Sequence, residues 1–218
     1  MKRILLALAL SATAAVAQDA SALRLKAMKN NPFSAQVQTA TTQTLPDSNR
    51  ITRTTSATIA RDSEGRTRRE QTGAGIVFIY DPVQGLASVL DTHARSVRQF
   101  AIPSDETRST PPPGAVTVGW DILEGLPVEG TRLTRQIAAG ESGNEKSIEV
   151  TSETWYSDDL QTLVMSKTLD PRIGETVFKL TDIQRREPER SLFEVPADYT
   201  VREAPTGRES PVEKLKNQ

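Results

Sequence analysis

His93 is the only histidine in the chain, and it follows Asp91 by two residues. A base and an orienting carboxylate could come from such a pair if a nucleophile sat nearby. The chain has no Cys, which excludes a thiolate nucleophile, thiolate zinc sites, iron–sulfur clusters and a disulfide framework. The serine of Gly140-Glu141-Ser142-Gly143 does not form a nucleophile elbow, because its second glycine comes one place early. His93 is therefore read as a surface residue of a turn.

Carboxylates recur in pairs. Glu149/Glu153 and Asp81/Asp91 have the residue types of a glycosidase, which needs its two carboxyl groups about 5 to 10 Å apart in a cleft. A chain with 28 acidic residues yields such pairs by chance. Asp158 and Asp159, with Glu153 nearby, could face a hard cation. Calcium takes about six to eight oxygens, and no such loop surrounds them; Ser157-Asp158-Asp159 is read as turn chemistry. Gly140 to Asn144 lacks the Lys-Ser/Thr of a phosphate loop. Arg66, Arg68 and Arg69, with Arg185 and Arg186, are basic clusters, but nucleic-acid binding needs a positive field and stacking aromatics. The formal charge is −1 and acids are interspersed, so a solvated strand edge is expected there. The chain is read as not an enzyme, with no cofactor, no metal and no nucleic-acid partner.

The aromatics are few: five Phe, two Trp and three Tyr. Phe78, Tyr80, Phe100, Trp155, Met165 and Phe178 recur along successive predicted strands. They form a core between sheet and helix, or some of them line an apolar concavity. They are the candidate ligand-lining residues.

The elements that must position them follow from periodicity. Lys2 and Arg3 precede an apolar run, Ile4 to Val16, and Ala15-Val16-Ala17 has the form a signal peptidase accepts. Cleavage is expected after Ala17. The run is shorter than the roughly 20 residues that span a bilayer, and no Cys follows it for lipidation. A periplasmic or secreted location is expected, with no integral membrane segment after cleavage. Ala20 to Lys29 reads as a short amphipathic helix stopped by Asn30-Asn31-Pro32.

From Phe33 the period changes to two. Predicted strands are Phe33–Ala40, Ile51–Ala60, Arg66–Gln71, Gly73–Tyr80, Leu86–Leu90, Val97–Ile102, Val128–Ala138, Ser147–Tyr156, Gln161–Leu169 and Thr176–Arg185. The Arg-rich face of Arg66–Gln71 is expected in solvent, and Gly73–Tyr80 is expected to be covered on both faces. Val116–Leu123 is ambiguous. Pro103 to Ala115 is a Pro-rich loop inside one domain, residues 18–203, and residues 204–218 are a polar tail expected to be disordered. No internal repeat is evident. Strands joined by tight turns imply an antiparallel sheet. Roughly ten of them are too many for a flat open sheet. The fold class is mainly β: a single curved half-barrel with a short N-terminal helix, or alternatively a β-sandwich.

Three stretches carry a family resemblance. They are the N-terminal helix with Thr-rich strands and Gly65-Arg66-Thr67-Arg68-Arg69-Glu70; Phe78-Ile79-Tyr80-Asp81-Pro82 with the strands to Phe100; and Thr176 to Ile183 followed by Ser191-Leu192-Phe193-Glu194-Val195-Pro196-Ala197-Asp198-Tyr199. Together they resemble the LolA/LolB-like half-barrels of the periplasmic lipoprotein-carrier superfamily, which includes RseB-type regulators. The resemblance implies a half-barrel holding a lipid, lipoprotein acyl chain or other apolar ligand in its concave face. The alternative it implies is an envelope interaction or stress-sensing module with a protein partner and no small ligand.

Overall fold

The computed structural model describes residues 28–102 and 112–202. The expected signal peptide, most of the expected N-terminal helix, most of the Pro-rich loop and the expected disordered tail lie outside the described residues.

The described chain is nearly all β. Its strands are β1 (Phe33–Thr44), β2 (Arg50–Arg61), β3 (Thr67–Gln71), β4 (Ile76–Asp81), β5 (Leu86–Asp91), β6 (Ser96–Ala101), β7 (Val116–Leu123), β8 (Leu126–Ile137), β9 (Ile148–Ser157), β10 (Thr162–Asp170), β11 (Gly174–Gln184) and β12 (Thr200–Val201). They form one sheet in the order β12-β6-β5-β4-β3-β2-β1-β11-β10-β9-β8-β7. Two antiparallel meanders, β1 to β6 and β7 to β11, are joined where β1 pairs with β11. Among the described residues there is no second sheet, so the β-sandwich alternative is set aside. Val116–Leu123, left ambiguous by its pattern, is β7; its bulge between Thr117 and Gly119 breaks the alternation.

Turn chemistry fixes the register. Glu124 and Gly125 both have positive φ, 51° and 75°, so a two-residue turn joins β7 to β8. β4, β5 and β6 are preceded by four-residue turns ending in Gly75, Gly85 and Arg95, each also at positive φ. Asp81 Oδ1 accepts the amides of Val83 and Gln84 at 2.9 Å; Asp91 Oδ1 accepts those of His93 and Ala94 at 3.0 and 2.8 Å. This is a ten-residue repeat, contrary to the sequence expectation. Its signal was the spacing of Asp81 and Asp91, hidden because the residues between them share alternation rather than identity. The strand expected over Gly73–Tyr80 starts only at Ile76, since Gly73 and Gly75 serve the turn.

The sheet rolls up around one face. Phe33, Ala35 and Val37 of β1, Ala57 of β2, Leu126 and Val128 of β8, Leu160, Val164 of β10 and Leu180 of β11 make one buried cluster. Strands up to five places apart in the sheet share that cluster, so the face bearing Phe33, Ala35, Val37 and Ala57 is concave. At its closed end sits Arg61, the last residue of β2, with no exposed surface. Its guanidinium donates to Asn31 O at 3.0 and 2.9 Å, to Leu160 O, and weakly to Gln161 O at 3.5 Å. It also lies 4.8 Å from the centre of the Phe33 ring. Burial pushes its pKa down to about 10, which leaves it charged at neutral pH. Two further ties close the same end. Glu187 accepts the Ser63 amide at 3.1 Å, and Glu124 accepts the Asp182 amide at 3.2 Å.

The outer face of β3 to β6 is covered by the chain after β11. Val77, Ile79, Leu90 and Val97 are buried there against Val195 and Tyr199. A single 3₁₀ turn, Arg190–Phe193, buries Phe193. Arg66 bonds Asp62 at 2.6 Å and lies 5.7 Å from the Phe193 ring centre; Arg68 donates to Leu192 O. The expectation of a solvated Arg-rich edge is therefore corrected. β3 is an interior strand, and Arg66 and Arg68 lie under the Leu192-Phe193-Glu194-Val195-Pro196 strap with acids and a carbonyl as partners. Arg185 and Arg186 are exposed, as expected.

Two outcomes follow. Arg61→Met leaves the Asn31 and Leu160 carbonyls buried without donors, at about 1–3 kcal/mol each. Urea unfolding is expected to show a loss near ~3 kcal/mol, and an unchanged midpoint would remove Arg61 from its latch role. At the far end of the long strands, Arg172 donates to both oxygens of buried Asp170, at 3.0 and 2.7 Å. These hydrogen bonds hold the Asp170 carboxyl below its ordinary 3.8, against the opposing effect of burial. The stabilisation is present above that ordinary value and is lost as pH falls through the lower folded-state value. The stability gap between wild type and Arg172→Ala should narrow between about pH 5 and pH 2; a gap constant with pH would contradict the linkage.

Candidate functional site

Register places the concave face of the β2–β6 wing in three rows. The first is Arg61, Thr67, Tyr80, Ala87 and Phe100; the second is Ile59, Arg69, Phe78, Val89 and Arg98; the third is Ala57, Gln71, Ile76, Asp91 and Ser96. The alternation of β4 puts Phe78 and Tyr80 here and sends Val77 and Ile79 to the strap on the other face. Ile76, Phe78, Tyr80, Val89 and Phe100 are half-buried, unlike the fully buried residues opposite. Phe178 lies on the same concave side, opposite Thr39 of β1, and packs against the main core.

The other two candidates separate from this group. Met165 is in register with exposed Lys179, on the face opposite Phe178, and on its other side with Trp155. Its neighbour Val164 turns into the core at a β-bulge between Leu163 and Met165. Trp155 packs against the core rather than the wing. It is cross-strand from Gly130, where a Cβ would stand 2.7 Å from the indole and 2.8 Å from Val118. Its indole N–H is buried without a hydrogen-bond partner.

The catalytic alternatives dissolve geometrically. Asp81 and Asp91 stand at opposite ends of β5 and on opposite faces, each occupied in capping a turn. Glu153 is paired with Arg132 at 2.6 Å, and Glu149 accepts from Gln136 at 2.8 Å. Asp158 and Asp159 are exposed turn residues, Asp159 lying 3.8 Å from Arg185. His93 is exposed, its ring close over Gly75. Among the described residues no cluster of three or more His, Asp or Glu is arranged to hold a metal. Two open hollows of about 350 and 330 Å³ lie along the long strands, lined largely by charged and hydroxyl side chains and by none of the six candidates.

Comparison with known proteins places this geometry. No family model and no curated protein matches the sequence. Among solved structures, an uncharacterised conserved protein from Thermus thermophilus is 12% identical with a TM-score of 0.51, over 87% of this chain and 99% of that one. A chain of the Pseudomonas aeruginosa MucA/MucB complex is 15% identical with a TM-score of 0.52, over 82% of this chain. This chain spans 61% of the length of that one. A LolA superfamily protein from Nitrosomonas europaea is matched over 81% of this chain and 96% of that one, at 10% identity and a TM-score of 0.24. This chain shares the fold of the Thermus and Pseudomonas structures, a half-barrel made of one curved sheet. At such identities the likeness speaks for the fold alone. Among the described residues the half-barrel is built from twelve strands, and no helix is long and apolar enough to cross a membrane.

The close fit of Trp155 over Gly130 gives a direct check. Gly130→Ala forces the indole or Val118 to move, an overpacking cost of about 1–3 kcal/mol. The expected result is a lower unfolding midpoint together with altered tryptophan fluorescence; unchanged emission would mean that the contact is looser than described.

Proposed function

We propose that this chain is an exported, non-enzymatic binding protein whose half-barrel holds a lipid or other apolar ligand on the concave face of β2 to β6. One observation carries the reading. Ile76, Phe78, Tyr80, Val89 and Phe100 stand in adjacent register rows on that face and are only half-buried, whereas the opposite face of the same strands is sealed by the chain's own strap. An apolar face left partly open inside a curved sheet suits an apolar ligand. The half-barrel fold, shared with the Pseudomonas chain, supports a binding role. Export rests on the expected cleavage after Ala17, which also makes a periplasmic or secreted location part of the proposal.

A second reading is an envelope protein partner without a small ligand. Trp120, Ile122 and Tyr156 are 67%, 73% and 40% exposed near the β7 edge, with Trp120 and Tyr156 in one register row through Glu129. The Pseudomonas chain of similar fold was solved in a MucA/MucB complex.

The test is native mass spectrometry of protein exported to a periplasm and purified gently, followed by solvent extraction. A co-purifying or added lipid that is bound by the wild type, and lost when Phe78 and Phe100 are replaced by Ser, is the expected result. A clean apo mass with no uptake of added lipids would overturn the ligand reading in favour of the second.

A further inference from the structure

The two ends of the sheet are finished differently. At one end the chain adds a strand to itself: β12 lies parallel to β6, with the Thr200 amide donating to Arg95 O at 2.9 Å and the Arg202 amide to Val97 O at 2.8 Å. At the other end β7 pairs with β8 on one side, and among the described residues no strand pairs with its second side. An edge strand offers unpaired amides and carbonyls to any extended chain, and folded proteins blunt such edges with Lys, Pro or a bulge. β7 has its bulge between Thr117 and Gly119. Beyond it, residues 119–123 pair regularly with β8 and contain neither Lys nor Pro.

Apolar exposure and charge single out the same stretch. Ile122 and Trp120 are the two most exposed large apolar side chains among the described residues. They share one face of β7, and Asp121 between them takes the other. From 115 to 131 the chain has three carboxylates, Asp121, Glu124 and Glu129, and no Lys, Arg or His. Among the described residues these carboxylates accept hydrogen bonds from neutral groups only. Asp121 takes the Ile122 amide at 2.7 Å, Glu124 the Asp182 amide at 3.2 Å, and Glu129 the Thr117 hydroxyl weakly at 3.4 Å. The open edge is apolar, and the charge around it is negative.

We propose that β7 is a docking edge for an extended, basic segment of another protein. The segment adds to the sheet as a further strand, with apolar side chains against Trp120 and Ile122 and a Lys or Arg opposite Asp121. Main-chain hydrogen bonds supply the affinity of such an addition, and alternate side chains supply its specificity. This deepens the partner reading above and rests on it; the ligand reading of the concave face is independent of it. Charge decides the occupant. A second copy of this chain, paired through its own β7, would bring the same three carboxylates to the same edge, and like charges facing across strands are destabilising. A basic segment meets opposite charge at each of those places. Residues 119–123 set its length, because the bulge ends the regular edge.

The experiment titrates the full chain from Gln18 onward with two labelled six-residue peptides, one alternating Val with Lys and the other alternating Val with Glu, followed by fluorescence anisotropy at low salt. The Lys peptide should bind about tenfold more tightly than the Glu peptide, and the gap should narrow as salt screens it. Amide exchange followed by NMR should show the outward amides of residues 119–123 gaining protection when the Lys peptide binds. Replacing Trp120 and Ile122 together by Ser should weaken binding of the Lys peptide and leave the unfolding midpoint in place, since both side chains are exposed. Two further Lys peptides, N-methylated at their odd or at their even residues, test the backbone pairing: one of the two must lose binding, and full binding by both would overturn strand addition. Equal affinity for Lys and Glu peptides would overturn the basic partner and leave the partner reading standing. A dimer that the Lys peptide does not dissociate would assign the edge to a second copy, and outward amides already protected in the free monomer would assign it to the chain's own residues; either overturns the proposal. Binding of neither peptide by folded protein would overturn the proposal and the partner reading at this edge together, with the ligand reading untouched.

Discussion

The buried guanidinium of Arg61 is the constraint around which the half-barrel is organised. A single sheet of this width has no second layer to bury its face against. It has to roll until its own strands meet. Arg61 ends β2, yet its donors reach the segment before β1 and the turn between β9 and β10, on the far side of β1 and β11. No neutral side chain offers that many diverging donors in one plane. Its charge costs desolvation, and the carbonyl dipoles and the Phe33 ring offset that cost. Below the latch, Phe33, Val37, Val128, Val164 and Leu180 complete a core that strands on opposite sides of the roll share.

Closing one end and sealing one face leaves an unequal division of labour among the strands. The long strands β1, β2 and β8 to β11 make the frame. Their outer face is a cross-strand ladder of charges, Arg132 with Glu153 and Lys167 with Glu175, whose pairs are exposed enough to contribute solubility more than stability. The short strands β3 to β6 make a wing built from a ten-residue unit of strand and capped turn. Because the strap covers the outer side of that wing, its inner side is where half-buried apolar surface remains. The proposed site and its scaffold are thus the two faces of the same strands.

Much of this was legible in the residues. Period-two alternation, Thr-rich runs and tight turn signals identified ten of the twelve strands and the antiparallel meander, because those patterns report local geometry. The closing Leu192-Phe193-Glu194-Val195-Pro196 to Tyr199 stretch was visible as a distinctive apolar insertion, and Phe78, Tyr80 and Phe100 share one face of the wing since consecutive hairpins keep their faces in step. The bulge between Leu163 and Met165 was not legible, because it adds one residue to β10 and alternation cannot count it. Arg66 and Arg68 were read as solvated because nothing local announces that a strap from more than 120 residues later will lie over them.

The sequence by itself determined the strand-and-turn grammar, the absence of cysteine chemistry and the alternation that gives each strand an apolar side. Those are properties of neighbouring residues, set by backbone sterics and side-chain type. Tertiary structure alone decided which of two apolar sides became core and which stayed half open, and that Arg61 would be buried rather than solvated. Each of these depends on how far a twelve-stranded sheet curls and on what distant segment reaches it, and curl is a sum over the whole sheet that no short stretch of chain contains.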